Sequence, residues 1–526
     1  MRKAVRACGV ALLYVALTAH VGSPDAWYEG NAGPYRVIVQ VRMPGVVPGV
    51  AEIFVRTPGE RPNTVTVVAN KFDATGATPP PEALAPVEGD PGYFSGKLWL
   101  MAGGSNSITV AVSGARGSGK AVVPVLNVPL RRLDLDPRLG TALSVVGAFL
   151  FAGLVTIIGA AVREGTLPPG TPPTPASRAR ARRAMIGTSV VLALLLFGGW
   201  RWWSSEDAIF RRNIFKPLAS KAVIEPASPR PRFVFTIADS TWVHRGDSAW
   251  LRRHDASSFT PLIPDHGKLM HLFLIRDDLG ALAHLHPGST DSVVFPSNLP
   301  PLPAGRYRVF ADIVHESGYA QTLVTSVEID STAVASPPSP PSPPSPPSQA
   351  SPAPASDPDD SWFTALVQRS ARSVTLADGS VMTWTGASNS IPAGADAALR
   401  FEVRNADGTP AALEPYMGMP GHAVVATDDG SVFVHLHPSG TVPMAAQMSF
   451  EMRQPGDSVR GRLGARISAA EHSMMSTPME ATSEVAFPYA FPKPGHYRVW
   501  VQVRKGGRIL TGAFDAPVVS GAKSAD

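Results

Sequence analysis

Met270-His271-Leu-Phe-Leu-Ile-Arg276-Asp-Asp-Leu-Gly280-Ala-Leu-Ala-His284-Leu-His286-Pro287 decides how this chain is read, because its pattern occurs twice. The second copy runs from His422 to His435-Leu436-His437-Pro438. In both, the first His precedes the second by thirteen residues and the third follows two later. Both lead into a closing phrase, Pro303-Ala-Gly-Arg-Tyr307-Arg-Val in one and Pro494-Gly-His-Tyr497-Arg-Val in the other. Two domains of one design fill the C-terminal half.

Between the first and second His lie an apolar run, a turn and a second apolar run, the pattern of a hairpin. The turns are Asp277-Asp278-Leu279-Gly280 and Asp428-Asp429-Gly430, and Asp-Gly is a strong hairpin signal. A two-residue turn at Asp429-Gly430 pairs Asp428 with Ser431 and sets His422 opposite His437. The same register sets His271 opposite His286. Side chains alternate along a strand, so His284 and His435 share a face with His286 and His437. Each hairpin then carries three imidazoles on one face, the opposed pair having Cβ atoms roughly 5 Å apart. A bulge at Leu279-Gly280 would break this arrangement in the first copy.

Imidazoles on a rigid strand suit Cu(II) or Zn(II), and three on one face complete most of a site. The candidate ligands are His271, His284 and His286 in one copy and His422, His435 and His437 in the other. The alternative is that this face, which also holds Phe273 and Ile275 or Val424 and Phe433, points into the core, where the imidazoles brace strand ends. His315 is an extra candidate in copy one; Val501-Gln-Val-Arg504 stands there in copy two. The second copy also carries a methionine-rich insertion. Met417 and Met419 precede His422, and His472, Met474, Met475 and Met479 follow in a polar segment that reads equally as a ligand set, thioethers being soft donors that favour Cu(I), or as a plain loop. Met444, Met448 and Met452, at four-residue steps, read instead as the apolar stripe of a short helix.

Composition sets the frame. The chain has 526 residues, 44% hydrophobic and 17% charged, with 53 prolines and 47 glycines, which suits several domains of short strands and turns. Its lone cysteine, Cys8, excludes a disulfide framework. A net charge of +5 is mild for this length and argues against a nucleic-acid partner. Residues 1–26 read as a signal peptide or N-terminal anchor, with Arg2, Lys3 and Arg6 before an apolar run. Residues 27–137 form short β-branched and aromatic runs split by Pro/Gly turns, an extracytoplasmic β-sandwich.

Two apolar stretches, 138–162 and 185–203, are long enough to cross a membrane. The loop between them, 163–184, carries Arg163, Arg178, Arg180, Arg182 and Arg183 against one acid, Glu164, so it is expected in the cytoplasm and both flanking regions outside. Ser144, Ala148, Ala152, Thr156 and Ala160 place small residues at every fourth position of the first span, a face for close packing against the second helix or another protein. After a juxtamembrane connector, 204–232, come sandwich copy one, 233–332, and a Pro/Ser linker, 333–360. Sandwich copy two, 361–520, and a short tail, 521–526, complete the chain. At about 3.1 Å per residue, the repeated Ser-Pro-Pro of the linker could hold the copies roughly 60 Å apart. Gly114-Ala-Arg-Gly-Ser-Gly119-Lys120 approaches a phosphate-loop pattern, but Ala121 stands where Ser or Thr is needed and no helix follows, so no nucleotide is expected.

Gly33-Pro-Tyr-Arg-Val-Ile-Val and Pro44-Gly-Val-Val-Pro-Gly-Val-Ala-Glu-Ile resemble the extracytoplasmic sandwiches called YtkA-like or FixH-type. That resemblance covers about a hundred residues and implies an accessory to membrane metal or respiratory machinery. Glu414-Pro-Tyr-Met-Gly-Met-Pro-Gly-His422, Val434-His435-Leu-His437-Pro438 and Phe491-Pro-Lys-Pro-Gly-His-Tyr-Arg-Val resemble a bacterial secreted and membrane family associated with copper and heavy metals. Copy one keeps Ala283-His284-Leu-His286-Pro287 but departs upstream, at Pro264-Asp-His266-Gly-Lys-Leu-Met-His271.

The expected fold is mainly β, with three immunoglobulin-like or cupredoxin-like β-sandwiches plus two transmembrane α-helices. The chain lacks Gly-x-Ser-x-Gly and His-Glu-x-x-His motifs and a cysteine nucleophile, so no enzyme is expected. The expected function is a membrane-anchored metal-binding protein of a bacterial cell membrane, multi-pass, with its N- and C-terminal domains outside. It captures copper, or less readily zinc, for a metal-transport or respiratory-assembly protein in the bilayer. The alternative is a non-catalytic adhesion or assembly scaffold with structural histidines.

Overall fold

The computed structural model describes residues 25–521 apart from 73, 75–77, 169, 228–229, 245–259, 331–356, 365–371, 387–389, 396, 455–456, 458–460 and 476–479. Most of the expected signal, the Ser-Pro-Pro repeat and Met479 therefore lie outside the described residues. Contacts divide the chain into two compact units. Val128–Phe215 is one, and the regions before and after it together make the other.

The smaller unit is a helix pair, Pro137–Glu164 and Pro175–Arg212. Asp136 caps the first helix by accepting from the Arg138 and Leu139 N–H groups, and Thr174 caps the second. At 28 and 38 residues both exceed the ~20 needed to cross hydrocarbon. The second is longer than the expected span, since it absorbs Arg178 to Arg183 before it and runs past Trp203 to Arg212. The expected small-residue face does not meet the second helix. Ala152, Thr156 and Ala160 are exposed, whereas Val155 and Gly159 are buried. A Cβ at Gly159 would stand 2.6 Å from Met185 Sδ, so the absence of a side chain there sets the approach.

The first sandwich begins at Asp25 and stacks a five-stranded sheet on a four-stranded one. Strict alternation drives it: in Gly49–Arg56, Ala51, Ile53 and Val55 are buried while their neighbours are partly exposed. The glycine run at 114–120 is a hairpin, with Gly114 opposite Gly117. Gly119 is needed for close approach, because a Cβ there would lie 2.2 Å from Gly33 N.

Each C-terminal copy also has two sheets. Copy one sets Ser220–Glu225, Arg232–Ile237 and Val294–Asn298 against a sheet that carries the hairpin His271–Arg276/Ala281–Leu285. Copy two sets Ser373–Thr375, Val381–Thr385, Ala397–Arg404 and Glu484–Tyr489 against the sheet of His422–Thr427/Phe433–Leu436. Copy one thus starts inside the expected connector. It also gains Ser361–Thr364, a strand from beyond the linker, which pairs with Ala281–Leu285 and closes that edge.

The hairpin strands are buried on both faces. Leu272, Leu274, Ala283 and Leu285 enter the core of copy one, and Ala423, Val425, Val434 and Leu436 that of copy two. The opposite faces pack on each other. Phe273, Ile275, Leu282 and Phe310 meet Val424, Ala426, Phe433 and Trp500, with Phe310 stacked on Phe433 at 4.1 Å. The copies are therefore not held apart. The linker's extended length is only a ceiling, and burial of these aromatics, worth about 1.5–3 kcal/mol per large side chain, favours closure.

The contact is reciprocal. Arg308 Nη2 of copy one donates to the Asp428 carbonyl at 2.9 Å, and Arg498 Nη1 of copy two donates to the Leu279 carbonyl at 3.1 Å. Both arginines follow the tyrosine of the closing phrase, and both carbonyls lie in the partner copy's hairpin turn. The insertion forms helices Met444–Glu451 and Arg462–Met475, which pack on Ile263 and Val314 of copy one. Met444, Met448 and Met452 serve this contact, as a helical stripe would. Copy one caps both helices: Asp265 accepts from the Ala445 N–H, and Glu316 from those of Gly461 and Gly464.

Candidate metal centre

The hairpin ladders run Leu272↔Leu285, Phe273↔His284 and Ala423↔Leu436, Val424↔His435. Continued by one residue, these registers oppose His271 to His286 and His422 to His437, with no bulge at Leu279-Gly280. Leu279 takes a left-handed φ of 60° to close its four-residue loop. Because the two His-bearing faces are pressed together, all six imidazoles are buried at one interface, joined by a seventh, His266.

His271, His284 and His286 converge. His284 Nε2 lies 3.2 Å from His271 Nδ1 and 3.1 Å from His286 Nε2. The other nitrogen of each ring faces an oxygen: His271 Nε2 the Asp265 carbonyl at 3.2 Å, His284 Nδ1 the Gln502 Oε1 at 2.9 Å, and His286 Nδ1 the Asp360 carboxylate at 3.2 Å. Gln502 is oriented by its Nε2, which donates to Ser361 Oγ at 2.7 Å. Burial keeps the rings neutral, pulling His271 down to about 4 and His284 and His286 well below 6.5. A neutral ring whose proton is donated outward keeps a lone pair on its inner nitrogen. Three lone pairs thus face one another with no proton between them. The two separations about His284 approach the about 3.3 Å edge of a tetrahedral site with metal–nitrogen bonds of about 2.0–2.1 Å.

His422 and His437 associate with His266 of the other copy, and these three rings offer nitrogens within 4.8 Å of one another. His266 Nε2 and both nitrogens of His422 and His437 are buried without a hydrogen-bond partner. His435 lies between the two groups, its ring centroid 5.0 Å from that of His271 and 5.4 Å from that of His422. Its Nδ1 is 3.6 Å from Asp312 of copy one. Asp312 and Gln502 occupy equivalent ladder positions, opposite His271 and His422, so each copy supplies one polar side chain to the other copy's second histidine. Burial pulls His422 and His435 well below 6.5 and His437 to about 3.

The methionine candidates are dispersed. Met417 is buried in a turn before His422, with φ 52°, and Met419 closes that turn through paired backbone bonds with Tyr416. Met475 reaches the neighbouring turns, standing 3.2 Å from a Cβ position on Gly267 and 3.1 Å from one on Gly418. His472 and Met474 sit on exposed positions of the same helix, and His472 is in none of the His/Asp/Glu groups close enough to share an ion. His315 is engaged elsewhere, Nδ1 with the Thr260 carbonyl and Nε2 with Gln321.

Sequence reasoning did not find His266, Gln502, Asp312, Asp360 or Glu471 as parts of this centre. One signal was available. His266 and Met417 each stand five residues before the first His of their copy, in the related phrases Asp265-His-Gly and Tyr416-Met-Gly.

A family model described as a domain of unknown function (DUF8832) matches residues 246–331 and 374–460, one match on each copy. No curated protein matches the chain by sequence. Among solved structures, an engineered protein is 17% identical over 18% of this chain and 21% of its own, with a TM-score of 0.15. Salmonella alpha-2-macroglobulin reacted with methylamine is 10% identical over 95% of this chain and 24% of its own, with a TM-score of 0.18. A putative membrane anchored protein from Corynebacterium diphtheriae is 9% identical over 95% of this chain and 96% of its own, with a TM-score of 0.14. The chain spans about a fifth to a quarter of the length of the first two.

Proposed function

We propose that this is a membrane-anchored, extracytoplasmic, non-catalytic protein that captures a transition-metal ion at His271, His284 and His286 and presents it to a partner in the bilayer. Three buried lone pairs carry this reading, those of His271 and His286 lying 3.2 and 3.1 Å from that of His284. Without a cation they repel, and a buried polar atom left unsatisfied costs about 1–3 kcal/mol. Each ring is oriented by an outer-shell acceptor, as metal-bound imidazoles are. Imidazole donors suit copper(II) and zinc, and we take copper first and zinc second. The apolar helices supply the anchor, and a metal-transport or respiratory-assembly protein is the expected receiver.

The test is titration of the metal-free full chain in detergent with Cu(II) and Zn(II) against a competing chelator. Loss of one tightly bound ion in His284→Ala supports the reading. Wild-type binding no tighter than that of a denatured control sinks it, and favours a scaffold in which the imidazoles only pack one copy on the other.

A further inference from the structure

Beside the first trio stands a second group with a different origin. His266 comes from copy one, His422 and His437 from copy two, and all three are buried. We propose that these three hold a second ion, a divalent cation of the zinc or copper(II) class, which fastens one copy to the other. The inference rests on the first trio being a metal site, and adds an ion whose ligands neither copy could assemble alone.

Three observations carry it. Five ring nitrogens of this group are buried without a protein partner, so each ring still has a coordinating atom to offer. Native structures leave few buried polar groups in that condition, and an ion drawing one nitrogen from each ring satisfies three of the five.

His266 is also held in a costly conformation. Its φ of 53°, followed by 76° at Gly267, is left-handed, a region that non-glycine residues seldom enter. Glu471, on the insertion helix, accepts from the His266 and Gly267 N–H groups at 3.0 and 3.3 Å and fixes that turn. The strain delivers the imidazole across the interface, 4.9 Å between centroids from His437 and 5.6 Å from His422.

Charge agrees. Burying a lone dication among neutral rings is unfavourable without compensating anions. Asp360 contacts His286, Asp265 lies 3.9 Å from His266 Nε2, Asp312 lies 3.6 Å from His435 Nδ1, and Glu471 braces the His266 turn. These four carboxylates give the seven imidazoles acidic partners enough to balance two divalent ions once metal displaces their protons.

The full chain in detergent, stripped with chelator, loaded with Zn(II) and dialysed, gives metal per chain by elemental analysis. Two ions are expected in the wild type and one in His266→Asn, which keeps a residue tolerant of the left-handed turn. One is also expected in His437→Gln, made as an independent check on folding. In His284→Gln the remaining ion stays, and Co(II) substituted into it keeps a tetrahedral d–d band that His266→Asn lacks when both changes are combined. A single ion in the wild type, or two retained in both His266→Asn and His437→Gln, overturns the second site and leaves the first standing. No ion in the wild type removes both.

Discussion

Gln502 of the second copy accepts a hydrogen bond from His284 of the first at 2.9 Å, although 218 residues separate them. That bond puts the His284 proton on Nδ1 and leaves Nε2 free for the trio. Gln502→Leu removes the acceptor without adding charge, and should weaken Cu(II) or Zn(II) binding about 10–100-fold while the copies stay folded. Gln502→Glu keeps an acceptor and should restore most of it. Chelator-competition titration of the two variants checks this, and equal affinities in both would dismiss Gln502 as an orienting group.

Met417 occupies in copy two the turn position that His266 holds in copy one, with φ 52° against 53°. The reciprocal packing that sets His266 beside His422 and His437 predicts that the Met417 thioether serves the first trio. Met417→Leu should then lower Cu(I) affinity about tenfold and leave Zn(II) nearly unchanged, since a thioether is a soft donor. Loss of both metals alike, or of neither, would take Met417 out of the ligand set.

Arg498 and Arg308 make matching contacts in unequal surroundings. Arg498 is buried and pairs with buried Asp515 as well as the Leu279 carbonyl. Arg498→Ala strands that carboxylate, at a cost of about 3–5 kcal/mol. Arg308 is partly exposed beside Asp277, so Arg308→Ala should cost no more than about 1 kcal/mol. Urea denaturation of the full chain, followed by tryptophan fluorescence, should rank them in that order.

Acid should destabilise the metal-free protein. His271 is held down at about 4 and His437 at about 3, chiefly by burial, and four other rings well below 6.5. Their folded-state values lie below the unfolded one, so this contribution is complete above about pH 6.5 and is lost as pH falls toward 4 and 3. Burial raises Asp312 to about 7, Asp360 to about 6 and Glu471 to about 8, which acts in the opposite sense. Six imidazoles outweigh three carboxylates. The urea midpoint should therefore drop between pH 7 and pH 4.5, and a rise would refute neutral buried rings.

The hairpins were legible because their information is local: a thirteen-residue His spacing, an Asp-rich turn and period-two alternation determine strand, register and face. The sequence could not say what that face meets. Phe273 beside His284 reads equally as core or as interface, and only contact between sequence-distant surfaces decides it. Gln502 carries no metal-site signature, and Asp360 sits past a proline-rich stretch that suggested separation. The helix pair shows the same limit. Spacing marked Ala152, Thr156 and Ala160 as a packing face, yet Gly159, a position with no side chain at all, is the one buried against Met185.

The strand Ser361–Thr364 has the further effect of making the duplication inseparable. The chain leaves copy one, traverses the linker, and returns to lend copy one its edge strand before copy two begins. Ser361 also steers Gln502, and Asp360 holds His286, so those few residues belong physically to both halves. A protease that nicks the prolines would release nothing, because the edge strand would stay seated as a tether. A gene fragment ended at the linker would lack a wall of the centre, and binding studied on such a piece would describe a molecule the full chain never forms.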